Sequence, residues 1–217
     1  MKALILKLSI FFSILTIIYL ILSYFGILRN ISLYVKNTRD LAENYRYKKK
    51  SNFCKNNKII IVVYSNNPSS DKLKCSINSI LEQTVKVDSV LLVTNNQNIP
   101  EYLKYVITPL PTDKDYGYGN KIIPPMLKEK EKNVIIIPIE NKIYGNDYIE
   151  TLLEKSQDNP NCQIFNQDND LILYKTNNFS NDIISRDNKT FDKKWFYLKS
   201  KNKTNIEYDD IKKDIFN

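Results

Sequence analysis

Hydrophobic positions divide the chain into three parts, of which the first is an apolar run from Leu8 to Leu28 without a charge. A helix of this length, at about 1.5 Å per residue, spans the roughly 30 Å hydrocarbon layer of a membrane. A cleaved signal peptide is the competing interpretation, because Lys2 and Lys7 form a basic start. The run is longer than a usual signal core, however, and no small-residue cleavage site follows it. We therefore predict a retained anchor over residues 1–28.

The hydrophobic pattern changes twice after this run. Residues 29–57 are polar and lack a sustained apolar period, which favours a basic stalk with helical character near residues 33–47. From residue 58 onward, short β-branched runs alternate with helical spacing, as in a parallel sheet that is buried on both faces. We therefore expect a folded domain over residues 58–217. Its predicted strands are residues 58–65, 88–96, 105–110 and 133–139.

Helices are predicted between and after these strands, over residues 70–81, 122–130 and 146–157. Ser70 or Asp71 is the expected N-cap of the first helix, and Asn146 that of the last. Alternating strands and helices indicate an α/β fold with a mostly parallel sheet flanked by helices. The end of the chain is weaker in pattern: it predicts two short strands, in "CQIF" and "LILYK", and a packed helix face formed by Phe191, Trp195 and Phe196.

The net charge of +8 belongs to the membrane end of the chain. Residues 1–58 carry eleven basic and two acidic side chains, whereas residues 59–217 carry 21 basic and 22 acidic ones. The basic cluster from Arg46 to Lys50 suits anionic lipid headgroups or a solvated stalk. Because the folded domain has no basic excess, we expect no nucleic-acid partner. The expected partner is a lipid bilayer, contacted through residues 8–28.

Residue types exclude several kinds of catalytic site. The sequence has no histidine, which rules out a Ser-His-Asp triad, a Cys-His dyad and His-ligated zinc. Its three cysteines, Cys54, Cys75 and Cys162, lack metal-ligand spacing and leave the redox state open. The fourth strand ends at Glu140 and Asn141, and a helix follows. Many α/β enzymes present a metal or phosphate ligand in this way, although ordinary strand ends have the same appearance.

Four stretches together resemble the GT-A nucleotide-sugar glycosyltransferases, in particular the branch related to family 2. "IIIVVYSNN" and "SILEQTVKVDSVLLVTNN" resemble the opening strand, loop, helix and second strand of that family. "DKDYGYGNK" is similar to a donor-binding loop, and "VIIIPIENKIYGNDYIETLL" to the strand, aspartate triplet, turn and helix. The resemblance covers about 100 of the 217 residues. It implies a nucleotide half over 58–160 and a short acceptor-side part over 161–217.

The resemblance also implies a donor site and a metal site. The loop after the first strand would lie beside the base, and a lysine would approach the diphosphate. The aspartate triplet would hold Mn²⁺ or Mg²⁺, which stabilises the charge of the departing diphosphate. The implied donor-binding residues are Tyr64, Ser65, Asn66, Asp115, Tyr116 and Lys121, and the implied metal ligands are Glu140 and Asn141.

This chain departs from the family at the triplet, which falls on Ile139, Glu140 and Asn141. Isoleucine cannot bind a cation, and an amide in place of a carboxylate removes a charge. We therefore expect an eroded site that binds Mn²⁺ or Mg²⁺ weakly and that Ile139→Asp with Asn141→Asp would restore. The acceptor-side base is unknown, and its candidates by composition are Asp168, Asp170, Asp187 and Asp192.

The resulting hypothesis is a single-pass membrane protein that transfers a sugar from a UDP- or GDP-linked donor. A catalytically inactive pseudo-glycosyltransferase that binds or scaffolds is the alternative, and a structural α/β domain is the other rival. We also predict that the strands ending at Tyr64 and Ile139 are adjacent and parallel. The sequence leaves open the acceptor, the oligomeric state and the side of the membrane on which the domain lies.

Overall fold

The computed structural model describes residues 2–50, 57–129, 134–158, 163–165, 170–176 and 203–205. Several predicted features lie outside these ranges, namely Cys54, Cys162, Asp168, Asp187, Asp192 and the aromatic group at Phe191, Trp195 and Phe196. Among the described cysteines, Cys75 has a free thiol.

Within the described residues, seven strands form one sheet in the order β3-β2-β1-β4-β6-β5-β7. Strands β1 to β4 are parallel, β6 is antiparallel to β4 and β5, and β7 is parallel to β5. The mixed α/β class and the mostly parallel sheet are therefore confirmed. The strands are β1 (Lys58–Tyr64), β2 (Ser89–Thr94), β3 (Thr108–Pro111), β4 (Val134–Ile139), β5 (Gln163–Phe165), β6 (Leu171–Lys175) and β7 (Lys203–Asn205).

The central pair of strands is the part of the fold that positions the site. Strands β1 and β4 are adjacent and parallel, with Val63 opposite Ile139, as predicted. Both consist largely of buried Ile and Val, which suits strands covered on both faces. From β1 the chain continues to β2 and β3 on one side and then returns to β4 on the other. This reversal of strand order creates a crevice at the carboxyl ends of β1 and β4.

Strand β3 begins at Thr108, three residues later than the predicted 105–110. The short helix α5 (Glu101–Lys104) precedes it and was not predicted. Two prolines, Pro109 and Pro111, lack the N–H groups that a central strand would use. Their place in β3 is tolerated because this strand lies at one edge of the sheet.

Helices cover both faces of the sheet. Odd-numbered residues of β1, such as Ile61, pack with α4 (Asp71–Leu81) and α7 (Tyr148–Asp158). Even-numbered ones, such as Val62, pack with α6 (Ile123–Lys128). Ser70 is the N-cap of α4, since its Oγ accepts the backbone N–H of Leu73 at 3.2 Å. The helices are α1 (Lys2–Tyr24), α2 (Ile27–Val35), α3 (Thr38–Arg46), α4 (Asp71–Leu81), α5 (Glu101–Lys104), α6 (Ile123–Lys128) and α7 (Tyr148–Asp158), with a 3₁₀ helix at Tyr118–Lys121.

Helix α7 begins two residues later than expected, so Asn146 is not its N-cap. The Asn146 side chain has another function: its Oδ1 accepts a hydrogen bond from Arg29 Nη2 at 2.7 Å. A long-range contact between the start of the chain and the α7 loop has therefore replaced the local contact that the sequence suggested.

Helix α1 is long and apolar enough, over Leu4–Tyr24, to cross a membrane, and none of that stretch is buried inside the protein. It ends four residues before the predicted end of the run at Leu28. The reason is Gly26, whose φ of 66° lies in the left-handed region and interrupts the helix.

Helices α2 and α3 occupy the first part of the predicted stalk, but they pack against the sheet domain. Leu33 of α2 is fully buried, and Ala42 and Tyr45 of α3 are more than nine-tenths buried. The Tyr45 hydroxyl accepts the backbone N–H of Val87 at 2.8 Å, and burial raises the pKa of Tyr45 to about 12. The structure therefore differs from a free polar stalk over residues 29–50, because these few apolar side chains all face α4 and its surroundings.

Candidate functional site

A shallow, solvent-open pocket lies beside the carboxyl end of β4. Strand β4 and the turn after it form one wall, the 3₁₀ helix a second, and the start of β6 a third. Its lining residues are Tyr118, Lys121, Pro138, Glu140, Lys142, Tyr144, Tyr148, Asp170, Leu171 and Ile172.

Two lysines converge on the Glu140 carboxylate in this pocket. Lys121 Nζ lies 3.2 Å from Oε1 and Lys142 Nζ lies 3.1 Å from Oε2. Partial burial alone would raise the pKa of Glu140, but the charges and hydrogen bonds of the two lysines outweigh it and lower the pKa. The carboxylate therefore stays ionised and is engaged by two cations.

The backbone of Glu140 is held on both sides. Its N–H donates to the Tyr144 hydroxyl at 3.1 Å, and its carbonyl accepts from Ser76 Oγ at 3.1 Å. Ser79 Oγ in turn accepts the N–H of Tyr144 at 3.3 Å. Helix α4 thus supplies two hydroxyls that fix the turn after β4, and this turn aims both Glu140 and Lys142 into the pocket.

Lys121 reaches the pocket from the loop over residues 115–121. Gly117 has φ 59° and ψ −126°, a conformation that only glycine adopts readily, so this loop places a backbone constraint on that position. Asp115 Oδ1 accepts the Gly117 N–H at 2.8 Å and Asn120 Nδ2 at 2.7 Å. These two hydrogen bonds lower the pKa of Asp115. Asp115 is exposed and builds the loop; it does not line the pocket.

Tyr118 connects the loop to β6. Its hydroxyl accepts the backbone N–H of Leu171 at 2.8 Å and also contacts the Asp170 side chain. Burial is the main cause that raises the pKa of Tyr118 far above its ordinary value, so the hydroxyl remains neutral. Lys121 Nζ lies 5.9 Å from the centre of the Tyr118 ring, within cation–π range. Of the four aspartates suggested as bases, Asp170 is the one that the described structure places in the pocket.

The other predicted donor residues surround the crevice without lining this pocket. Ser65 is buried at the end of β1, with its N–H bonded to Val93 O at 3.1 Å and its Oγ accepting from Asn67 N–H at 3.2 Å. Tyr64 and Tyr116 are half-buried against the α6 face of the sheet. Asn66 is exposed. The structure thus brings Lys121 and Glu140 together but not the whole predicted set.

Ile139, Glu140 and Asn141 do not fit a tightly bound cation. Ile139 is fully buried in the core on the α4 side, Asn141 is exposed outside the pocket lining, and Glu140 is bound by lysines. Within the ranges that the structure describes, no three His, Cys, Asp or Glu side chains group closely enough to hold a metal ion. Hard divalent cations prefer several oxygen ligands. This pocket offers two carboxylates, of which Glu140 is already paired with two lysines and Asp170 contacts the Tyr118 hydroxyl.

Lys142 and Tyr118 are pocket residues that the sequence did not single out. Lys142 follows two residues after Glu140, and its N–H donates to the Glu140 carbonyl at 2.8 Å in a tight turn. That turn places both side chains on one side of the chain. The signal that could have revealed Lys142 is the acid-amide-lysine order directly after a buried strand.

Comparisons with known proteins give little beyond the fold. No protein-family model matches the chain, and no curated protein matches it. One similar solved structure is a CMP:2-keto-3-deoxy-manno-octonic acid synthetase complexed with CTP. The likeness covers 50% of this chain and 52% of that one, at 15% identity and a TM-score of 0.38. The chain therefore spans about half the length of that nucleotide-binding enzyme.

Proposed function

We propose that the pocket binds the diphosphate of a nucleotide sugar, in a membrane-anchored glycosyltransferase-like protein with a GT-A-type domain. The observation that carries this proposal is the convergence of Lys121 and Lys142 beside the carboxyl end of β4. Ligands of open α/β sheets bind where the strand order reverses, and this pocket borders that reversal. The proposal includes α1 as a single membrane span, since its length and exposure suit one.

The two lysines supply the positive charge that a bridging cation supplies in the resembled family. A departing nucleoside diphosphate gains negative charge, and fixed cations close to its oxygens stabilise that charge. Lys121 and Lys142 together carry two positive charges, as one divalent cation does, and the Glu140 carboxylate offsets one of them while the pocket is empty. A bound Mn²⁺ or Mg²⁺ would add the same electrostatic stabilisation, but the residues present would hold it weakly. We therefore assign the diphosphate contact to the lysines.

Glu140 holds the lysines in place while the pocket is empty of ligand. The Glu140 carboxylate lies within hydrogen-bond distance of both ammonium groups, and its negative charge offsets the repulsion between them. A diphosphate that enters must compete with Glu140 for them. Glu140 thus acts in this proposal as a stand-in anion, which is the reverse of a metal ligand.

Sugar transfer in this pocket would also need a general base. An acceptor hydroxyl would attack the anomeric carbon and pass its proton to the Asp170 carboxylate. The bond between that carbon and the diphosphate oxygen would break, and the diphosphate would leave with the electron pair, stabilised by Lys121 and Lys142. Asp170 is assigned as the base because it lines the pocket at the start of β6.

The second candidate function is a pseudo-glycosyltransferase that binds the donor or a partner without turnover. Two observations favour it. Glu140 is already paired with two lysines, and Ile139, which the resemblance aligns with the first aspartate of the triplet, is fully buried. Binding and transfer share the same lysines, so binding alone does not separate the two functions. Turnover does.

The test is calorimetry on the full-length protein in detergent, titrated with UDP, GDP and their sugar conjugates, in EDTA and in Mn²⁺. We expect binding that persists in EDTA. Lys121→Met and Lys142→Met should each weaken it about tenfold, equivalent to about 1.4 kcal/mol. The matched control is Lys72→Met, an exposed lysine of α4 away from the pocket, which should bind as the wild type does.

Glu140→Gln separates the two possible roles of the acid. Removing a competing anion should tighten diphosphate binding, whereas removing a metal ligand should weaken it in Mn²⁺. Release of nucleoside diphosphate from a sugar nucleotide, abolished by Asp170→Asn with binding retained, would support transfer over the inactive alternative. Binding that requires Mn²⁺ and is lost in Glu140→Gln would contradict the lysine assignment.

A further inference from the structure

We propose that α2 lies in the membrane interface, with an apolar stripe of Ile27, Ile31, Tyr34 and Val35 inserted at the boundary between headgroups and acyl chains. The inserted helix would lay the sheet domain directly on the bilayer. This inference rests on the anchoring part of the proposed function, that α1 crosses a membrane, and is independent of the pocket and its ligand.

The stripe is a single exposed face of α2. Its members follow at spacings of four, three and one residues, which place them side by side on a helix of 3.6 residues per turn. Their exposed fractions are 39% for Ile27, 53% for Ile31, 50% for Tyr34 and 74% for Val35. A contiguous apolar face of this kind marks an interaction surface.

The opposite face of α2 packs against the sheet domain. Leu33 is fully buried, and Asn78 of α4 donates to the Leu33 carbonyl at 2.8 Å. Arg29 reaches the Tyr144 carbonyl at 2.7 Å and lies 3.8 Å from Glu82. The helix is therefore docked on the domain by one face and leaves the apolar face outward.

Chain connectivity identifies the bilayer as the occupant of that outward face. Helix α1 ends at Tyr24, and α2 begins at Ile27 after only Phe25 and Gly26. At about 1.5 Å per residue, no part of α2 can lie more than roughly 15–20 Å from the end of the span. A helix with one apolar and one polar face at this depth inserts its apolar face by roughly 5–10 Å.

Side chains around the stripe match an interfacial position. Tyr24 and Phe25 lie at the end of the span, where aromatic side chains are enriched, and both are exposed. Lys74 of α4 donates to the Tyr34 carbonyl at 2.8 Å and lies 5.3 Å from the centre of its ring. The lysine thus places a charged group beside the apolar stripe, at headgroup level.

The experiment measures the depth of a single tryptophan in the full-length protein reconstituted into vesicles of zwitterionic and anionic lipid. Trp195→Phe gives a background without other tryptophans, since the chain has one. Ile31→Trp and Val35→Trp report on the stripe. Asn30→Trp and Ser32→Trp, exposed on the flanks of the same helix, are matched controls, and Ile14→Trp reports on the span. All five positions are exposed, so the variants should fold.

Lipids brominated near the headgroup end of the acyl chain should quench tryptophan at positions 31 and 35 about twofold more than at positions 30 and 32, as expected for shallow insertion. Lipids brominated near the terminal methyl should quench position 14 most strongly. Blue-shifted emission at positions 31 and 35 without lipid quenching would reveal a second copy or another protein on the stripe and overturn the inference. Quenching at position 14 alone overturns the inference but keeps the anchor, whereas no quenching at position 14 overturns both.

Discussion

The resemblance noted from the sequence would align Ile139 with the first aspartate of a metal-binding triplet, and the burial of Ile139 limits what an aspartate at this position could achieve. The side chain packs with the α4 and α7 residues of the core and is fully buried. An aspartate there would place an unpaired carboxylate in apolar surroundings, which is expensive in free energy. Restoring the triplet would therefore damage the fold before it could restore a metal site.

We predict that Ile139→Asp lowers the free energy of unfolding by about 3–5 kcal/mol, through a buried charge and a lost apolar contact. Asn141→Asp, at an exposed position, should leave stability within about 0.5 kcal/mol of the wild type. Urea unfolding followed by circular dichroism measures both. If Ile139→Asp instead unfolded like the wild type and tightened Mn²⁺-dependent donor binding, the eroded-site expectation from the sequence would be right.

The lysine-bound state of Glu140 gives a second prediction at this scale. Because the folded-state pKa is below the ordinary 4.5, the ion pairs stabilise the fold above about pH 4.5 and lose that effect as the carboxylate becomes protonated at lower pH. Glu140→Gln should therefore reduce stability at neutral pH, by less than about 1 kcal/mol since the side chain is 41% exposed. The difference should vanish in acid. Glu101→Gln, an exposed acid in α5, is the control, and an equal loss at both pH values would contradict the assignment.

At the scale of elements, α2 and α3 belong to the folded unit even though their sequence resembles a stalk. Leu33 and Tyr45 fill sites on the domain, and Asn78 of α4 donates to carbonyls of both Leu33 and Lys36. Lys36 in turn pairs with Glu82, just after α4. A chain that started at the first strand would expose these contacts to water.

We predict that removing residues 1–50 destabilises the domain relative to removing residues 1–25. Burial of Leu33 and Tyr45 contributes on the order of 4 kcal/mol, at about 1.5–3 kcal/mol for each large apolar side chain. The shorter truncation removes the span and should release the domain from alkaline-washed membranes. Thermal melting of the two truncated chains measures the difference. Identical melting temperatures would show that α2 and α3 are dispensable for the fold.

The elements that the sequence predicted well are those in which local preference and tertiary environment agree. Strands β1, β2 and β4 are short runs of Ile, Val and Leu that are buried on both faces, and α4 has both its spacing and its Ser70 cap. Helix α5 has only four residues and no side-chain cap, so its local signal is too short to detect. Its formation depends on Leu103, which is fully buried against the domain.

The candidate site was predicted only in part, for a related reason. Lys121 and Glu140 lie at a loop and a strand end that the resemblance marked, and in the structure they form an ion pair with each other. Lys142 and Asp170 depend on the turn after β4 and on the approach of the antiparallel β6, neither of which follows from local spacing. The two ion pairs of Glu140, which stand where the resemblance implied a metal contact, are thus a property of tertiary structure.

At the scale of the whole molecule, only Phe25 and Gly26 separate α1 from α2, and α2 is packed on the sheet domain. This short connection restricts the motion of the domain relative to α1 more than a flexible linker would. A flexible linker of n residues lets a domain wander by about 5–6 Å times the square root of n. Ile27–Val35 and Thr38–Arg46 instead form the docked helices α2 and α3. Under the proposal that α1 spans a membrane, the pocket therefore stays at one height and one tilt over the bilayer. A partner that diffuses in the same membrane is then confined to two dimensions and to the height of the pocket, which raises its effective concentration there. A partner in solution has no such increase in effective concentration.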